Sequence, residues 1–407
     1  MKVLIINSSF LPLPAVKGGA VEFLIDEYLK YNSTLKKHDI VVYSVYDKKL
    51  EKIDNYKYNS VEFRYINKKS KFYIFLRTLL FIKRRIFRKK QVPIAYAFSV
   101  INDLKKRKEL DSYDVVIFEN QIESIMMYSK KISGYKVEHL HNDYLNLNTK
   151  EAFKVTNACD EFWGVSEFIC NQINKVNPKC KTKVLYNGIN VEKFSYIPSL
   201  TEKNIFYDKT GFKDTDYIIL YVGRIMPEKG VLELLKSFNK VKSEKDNMKL
   251  LIVGNKKNNK KEINEYYEKM LSEKIKNDDS IYFYGNATYD ELKIIYNMVN
   301  LQVIPTLCEE AFGLVLLEGM SANLPLIVTK SGGMSEIAND SVEVIDRNNI
   351  LSELPDKLIK VYNKGKTINL NNNYKKILDR FTIQNYCKNF DKYILSCRDK
   401  ENKNEKK

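Results

Sequence analysis

At 407 residues, 44% of them hydrophobic and 12% aromatic, the chain is too long for one typical core and too apolar for global disorder, so two domains are expected. The net charge of +17 comes from lysine spread throughout, including "ENKNEKK" near residue 407, so its clusters say more than its total. Cys159, Cys170, Cys180, Cys308, Cys387 and Cys397 show no CxxC or metal spacing, and His38, His139 and His141 are too few for a His-rich metal centre; structural thiols in a reduced, cytosolic compartment are expected.

In chain order, "MKVLIINSSF" has an apolar run too short for a signal sequence and reads as a buried strand over 3–7. "GGAVEFL" follows, with Gly18 and Gly19 ahead of a helix that should start near Ala20. Backbone N–H groups there suit a phosphate, although a GG turn before a helix is common. Strands are expected over 39–45, 61–66, 114–119, 136–141 and 161–165. Between them, "KKSKFYIFLRTLLFIKRRIFRKK" (68–90) carries ten basic residues and no acidic one, interleaved with Phe72, Phe75, Leu79 and Ile86. That pattern fits an anionic membrane surface or a core-packed helix with a solvated basic face. No nucleic-acid-binding motif accompanies the charge, and nucleic acid is not an expected partner. Nowhere does an apolar run approach the ~18–20 residues of a membrane span.

"VEHLHNDYLN" (137–146) puts His139 and His141 on one side of a strand end. A polar, Pro-containing stretch over 187–203 marks the seam. Strands then resume over 216–224, 249–254, 280–285, 301–306 and 324–329. Near-continuous Val/Ile/Leu runs alternating with helices predict two doubly wound parallel sheets, whose ligands sit at the carboxyl ends of strands. Ten of the 15 glycines, among them Gly223, Gly230, Gly254, Gly285 and Gly313, fall at or just after such ends. In "YVGRIMPEKGV" (221–231), Arg224 and Lys229 place two cations at one strand mouth, which suits a diphosphate.

"PTLCEEAFGLVLLEGM" (305–320) sets Glu310 at the start of a helix expected near Phe312 or Gly313, with Glu318 eight residues on. A helix-dipole carboxylate accounts for Glu310 alone, and a partner Arg or Lys accounts for Glu318 alone. Taken with free N–H groups over Phe312, Gly313, Leu314 and Val315, they describe a sugar-nucleotide site: phosphate at the helix start, hexose hydroxyls on Glu310, ribose hydroxyls on Glu318.

In combination "GGAVEFL", "LYNGIN", "VGRIMPEKGV", "EAFGLVLLEGM" and "SGGMSEI", in that order, resemble a retaining family 4 glycosyltransferase. The resemblance implies the GT-B fold: an acceptor-binding Rossmann-like domain over 1–195, a nucleotide-sugar-binding one over 196–375 facing it across a cleft, and a C-terminal helix over 376–407 crossing back. It implies Arg224 and Lys229 at the diphosphate, Gly254 within the donor site, Glu318 at the ribose, Glu310 as a catalytic residue at the donor sugar, and Gly18 and Gly19 approaching the phosphates. The family's catalytic histidine matches His141, with His139 left open. The implied chemistry is hexosyl or N-acetylhexosaminyl transfer from a nucleotide sugar, UDP by family frequency, to a glycan or lipid-linked acceptor in surface-polysaccharide assembly. No metal or cofactor is implied. The setting would be cytoplasmic, peripheral at the inner membrane face. A sugar-nucleotide epimerase of the same fold and an inactive scaffold are the alternatives.

Overall fold

The computed structural model describes every residue except 54, 88–94, 256–260, 274–278, 339, 366–370 and 405–407. The chain divides into two compact units: unit 1 is Met1–Gly188 with Ile383–Lys407, and unit 2 is Ile189–Thr382.

Unit 1 holds a seven-stranded sheet of β1 (Lys2–Ile6), β2 (Asp39–Val45), β3 (Val61–Ile66), β4 (Val115–Glu119), β5 (Tyr135–Leu140), β6 (Glu161–Gly164) and β7 (Thr182–Val184). Their order is β3-β2-β1-β4-β5-β6-β7, with β1 parallel to both β2 and β4. Val3, Ile5, Ile40, Val42, Val115, Ile117 and Val137 point into one core, as alternate residues of strands covered on that face do. The helix Ile383–Asn404 closes this core. Phe390 stacks on Tyr28 with ring centroids 4.1 Å apart and meets Trp163 edge-on at 5.4 Å. Asp391 takes Lys37 at 2.7 Å and His38 Nε2 at 3.0 Å.

Unit 2 repeats the winding with β8 (Tyr217–Val222), β9 (Met248–Val253), β10 (Ile281–Gly285), β11 (Leu301–Ile304), β12 (Leu326–Thr329) and β13 (Glu343–Ile345). The order is β10-β9-β8-β11-β12-β13. Each sheet therefore reverses direction once, between β1 and β4 and between β8 and β11. Such switch points are where open parallel sheets part to admit ligands.

Three local features depart from the sequence expectation. β7 and β13 are strands of three residues each, half-exposed and too short to show a pattern. The helix expected near Phe312 begins at Leu314, because Gly313 takes a left-handed φ of 112° as its N-cap. A short helix, Asn371–Leu378, lies in unit 2 before the chain passes to Ile383.

Candidate active site

In unit 2 the loop after β8 is pinned to the end of β11. Gly230, at φ 67°, lies so close to Pro305 that a Cβ there would stand 1.9 Å from the Pro305 carbonyl oxygen. That approach delivers Lys229 to Glu310, and the two form an ion pair. Glu310 is itself riveted to the loop after β12. Its N–H donates to Ser331 Oγ at 2.8 Å, its carbonyl accepts from Gly333 N at 2.8 Å, and Ser331 Oγ donates on to the Cys308 carbonyl at 2.7 Å. The backbone of Glu310 is thus fixed while its carboxylate stays partly exposed. The neighbouring Glu309 is drawn away to Arg347, 2.6 Å from its guanidinium.

Directly after this carboxylate, the Leu314–Ser321 helix starts without a side-chain cap; Leu316 N–H donates to the Gly313 carbonyl at 3.0 Å, while the N–H groups of Leu314 and Val315 precede any intrahelical acceptor. Phe312 is buried against Phe381, with centroids 5.5 Å apart, so its side chain belongs to the core. Glu318, one turn into the helix, has no cationic partner among the described residues. Its Oε2 accepts from Tyr296 Oη at 2.7 Å, and Gln302 Nε2 lies 3.3 Å from that same oxygen of Tyr296. Burial pushes the Glu318 carboxyl up to about 7, against the opposing hydrogen bond from Tyr296.

A cavity of about 360 Å³ opens at the carboxyl ends of β8, β9 and β10 and is lined by Gly223, Arg224, Gly254, Asn255, Asn286 and Leu292. Gly254 (φ 138°) brings two of these loops into backbone contact, since a Cβ there would stand 1.8 Å from the Gly223 carbonyl oxygen. Arg224 is exposed at the rim, with no side-chain partner among the described residues. Arg224, Lys229, Gly254, Glu310, Gly313 and Glu318 therefore all sit on the carboxyl-end loops of one sheet or on the helix that follows them. Sequence reasoning missed Asn286, Ser331 and Tyr296. The first two follow strands β10 and β12 directly, and the rule that ligand groups follow strands could have raised them. Tyr296 lies inside a helix and carries no such signal.

In unit 1 the equivalent positions are closed. Gly18 (φ 70°) and Gly19 (φ 101°) precede the helix Ala20–Leu35, but the carboxylate of Glu22 folds over that helix start. It accepts from Ser8 Oγ at 3.2 Å and stands where a Cβ on Gly19 would meet it at 2.3 Å. Burial raises its pKa above the usual carboxylate range, against its own backbone N–H and Ser8. A phosphate approaching Gly19 would meet this anion before it met the N–H groups.

His139 and His141 share one partner, Glu119 at the end of β4. Glu119 Oε2 hydrogen-bonds His141 Nε2 at 2.7 Å and lies 3.0 Å from His139 Nδ1. All three residues are buried, and Nδ1 of His141 and Nε2 of His139 have no hydrogen-bond partner among the described residues. Burial pushes Glu119 up, but the attraction and hydrogen bonds of the imidazoles outweigh it and hold the carboxyl below its usual range. Burial, reinforced by His139, keeps His141 below the usual imidazole range. Among the described residues this is the one group of three placed to hold a metal ion. Its O···N separations are those of hydrogen bonds, though, and shorter than the ~3.3 Å between ligands that each stand about 2.0–2.1 Å from a tetrahedral zinc.

Residues 202–377 match the family model described as "Glycosyl transferases group 1". Over that region, somewhat under half of its length, the chain is similar to the group 1 glycosyltransferases. Among its relatives, an uncharacterised glycosyltransferase of Methanocaldococcus jannaschii, MJ1607, is 34% identical over 44% of each chain. The lipopolysaccharide 1,2-N-acetylglucosaminetransferase of Salmonella typhimurium is 25% identical over 64% of this chain and 66% of its own length. These alignments span under two thirds of either relative. The crystal structure of Anabaena Alr3699/HepE in complex with UDP and glucose superposes with a TM-score of 0.72 at 16% identity, over 97% of this chain and 100% of that one. The likeness in fold agrees with the two sheets described above: two Rossmann-like domains of the GT-B class.

Proposed function

We propose that this glycosyltransferase retains anomeric configuration and moves a hexosyl or N-acetylhexosaminyl group from a UDP-linked donor to a lipid-linked or glycan acceptor of a bacterial surface polysaccharide. The observation that carries the reading is the Lys229–Glu310 pair at the β8/β11 switch point, beside an uncapped helix start. On binding, the donor diphosphate takes over Lys229 and the first-turn N–H groups, with Arg224 closing from the rim. The released Glu310 carboxylate accepts from hydroxyls of the donor sugar, and Glu318 from the ribose diol. The cavity beside Gly254 receives the base. Leaving-group charge is met by the cations and the helix N-terminus, so transfer needs no divalent metal. The donor's own β-phosphate oxygen takes the acceptor's proton on the face it leaves, which gives retention without a covalent sugar–enzyme bond.

A panel of nucleotide sugars scored by thermal stabilisation tests the donor, since a ligand at 100 times its Kd stabilises by about 2.7 kcal/mol. UDP-sugars should raise the melting temperature of wild type and raise it less in Lys229→Ala. Equal shifts in both would refute the role of Lys229, and transfer abolished by EDTA would refute metal independence.

The acceptor side of the proposal, with the protein peripheral at the inner membrane face, draws its support from the helix Lys71–Phe87. Phe72, Phe75, Leu79 and Ile82 recur along one exposed side of it, while Tyr73 and Leu76 are buried beneath. The sequence around this stripe is basic without an acidic residue; its last part, 88–90, lies outside the described residues. Flotation with phosphatidylglycerol vesicles should fall steeply with added salt; salt-independent flotation would remove the electrostatic part.

A further inference from the structure

A second cavity, of about 200 Å³, lies in unit 1 between the carboxyl end of β3, the start of the Lys71–Phe87 helix and the helix Ala95–Arg107. Its wall on the last of these is Ser99, Asn102, Asp103 and Lys106, at spacings that share one helix face. A helix face turned toward a neighbouring helix is ordinarily apolar. This one is polar, and it looks across at Phe72 and Tyr65, both exposed.

The polar groups differ in their freedom. Asp103 is fixed by Tyr43 Oη at 2.6 Å and Arg107 Nε at 2.9 Å. Asn67 on the β3 side accepts from Lys69 N–H through its Oδ1 at 2.9 Å, and its Nδ2 has no partner among the described residues. Asn102 and Lys106 have no side-chain partner among the described residues. An amide, a cation and aromatic faces around a space of this size match the hydroxyl edges and apolar faces of a sugar ring.

Phe72 belongs both to this cavity and to the exposed stripe Phe72, Phe75, Leu79 and Ile82. From Phe72 to Ile82 the stripe runs about 15 Å at the helical rise. A polar cavity opening onto an apolar track of that length suits an amphiphile with a saccharide head and a hydrocarbon tail. We propose that the cavity lined by Asn67, Phe72, Asn102 and Lys106 binds the sugar headgroup of a membrane-anchored glycolipid acceptor, whose tail lies along the exposed stripe. The assignment rests on the glycosyl-transfer reading for its purpose but not for its test.

Vesicles of phosphatidylglycerol with and without one tenth glucosyl-diacylglycerol are the probe, with the full chain followed by flotation. Wild type should bind the glycolipid vesicles about tenfold more tightly than the plain ones. Asn102→Ala, which leaves the charge unchanged, should lose that gain and retain plain-vesicle binding, with an unaltered melting temperature reporting an intact fold. Asn67→Ala is the second variant, expected to behave alike. Equal binding of wild type to both vesicles overturns the proposal, as does a gain that survives in both variants. UDP-sugar stabilisation measured on the same proteins reports the donor reading separately, and its failure alone leaves the headgroup site standing.

Discussion

At the end of β4 in unit 1, Glu119 is wholly buried and its neighbours His139 and His141 nearly so. At the ends of β8 and β11 in unit 2, the side chains of Lys229 and Glu310 keep 17% and 23% of their exposure, and Arg224 is open to solvent. The same winding thus carries two kinds of polar cluster. One is closed off from water around a shared carboxylate, with Glu119 Oε1, His139 Nε2 and His141 Nδ1 left without hydrogen-bond partners among the described residues. The other holds an ion pair that remains partly open to solvent. The difference is between a cluster closed to solvent and one that solvent reaches.

The contrast is broken most directly at Glu310. Glu310→Ala should lower glycosyl transfer by roughly a hundredfold or more while the melting temperature barely moves; a transfer assay beside thermal melts decides it, and near-wild-type transfer would sink the assignment.

Next in size is Gly230→Ala. The new Cβ would strike the Pro305 carbonyl at φ 67°, and unit 2 should lose about 3 kcal/mol in denaturant melts. Gly18→Ala, at a similar φ with nothing within 4 Å, should cost only about 1 kcal/mol. Equal losses would mean that backbone strain, and not the close approach, sets the cost.

Glu119→Ala should destabilise unit 1 by about 2 kcal/mol, the cost of leaving a buried imidazole N–H without its acceptor. Glu119→Gln should recover part of it, and a stable Ala variant would reclassify the cluster as incidental.

The smallest expected effect is a pH dependence at Glu318. Burial raises its pKa to about 7, so the folded state holds this proton more tightly than the unfolded one. Its contribution to stability is therefore greatest in acid and is lost as pH rises from the ordinary carboxylate range through 7. Ribose binding has the opposite sign, because it needs the ionised acceptor. The ratio of wild-type to Glu318→Gln affinity for UDP should grow by up to about tenfold from pH 6 to pH 8. Using the ratio cancels the titration of the nucleotide itself, and a flat ratio would separate Glu318 from the ribose.

Eleven of the strands were legible: most are apolar runs buried on both faces, and the half-exposed β3 and β10 are long enough, at six and five residues, to show their Val, Ile, Phe and Tyr content. The two three-residue strands β7 and β13 were not, since three residues are too few to show either periodicity or continuous apolarity. The positions of Arg224, Lys229, Glu310 and Glu318 followed from the rule that ligand groups stand after strands. Their partners did not follow: that Tyr296 rather than a cation meets Glu318, or that Glu22 folds over the Gly19 turn, depends on side-chain approach across sequence gaps that no local pattern encodes. Glu119 was overlooked for a different reason. A single acidic residue closing an apolar strand looks like a solubilising end until the two histidines of the next strand are laid beside it.

The helix Ile383–Asn404 belongs to unit 1 although all of unit 2 precedes it in the chain, and this has a consequence for biosynthesis. Tyr386, Phe390 and Ile394 complete a core whose other members are made long before. At about 5–20 residues per second, the ribosome takes roughly 10–40 s to cross the intervening unit. During that interval Tyr28 and Trp163 wait without their aromatic cover, while unit 2, a single continuous run, has everything it needs to fold. The second-made unit is therefore the first that can be finished. A nonsense mutation just after Thr382 would spoil the amino-terminal half of the protein and spare the half beside the break.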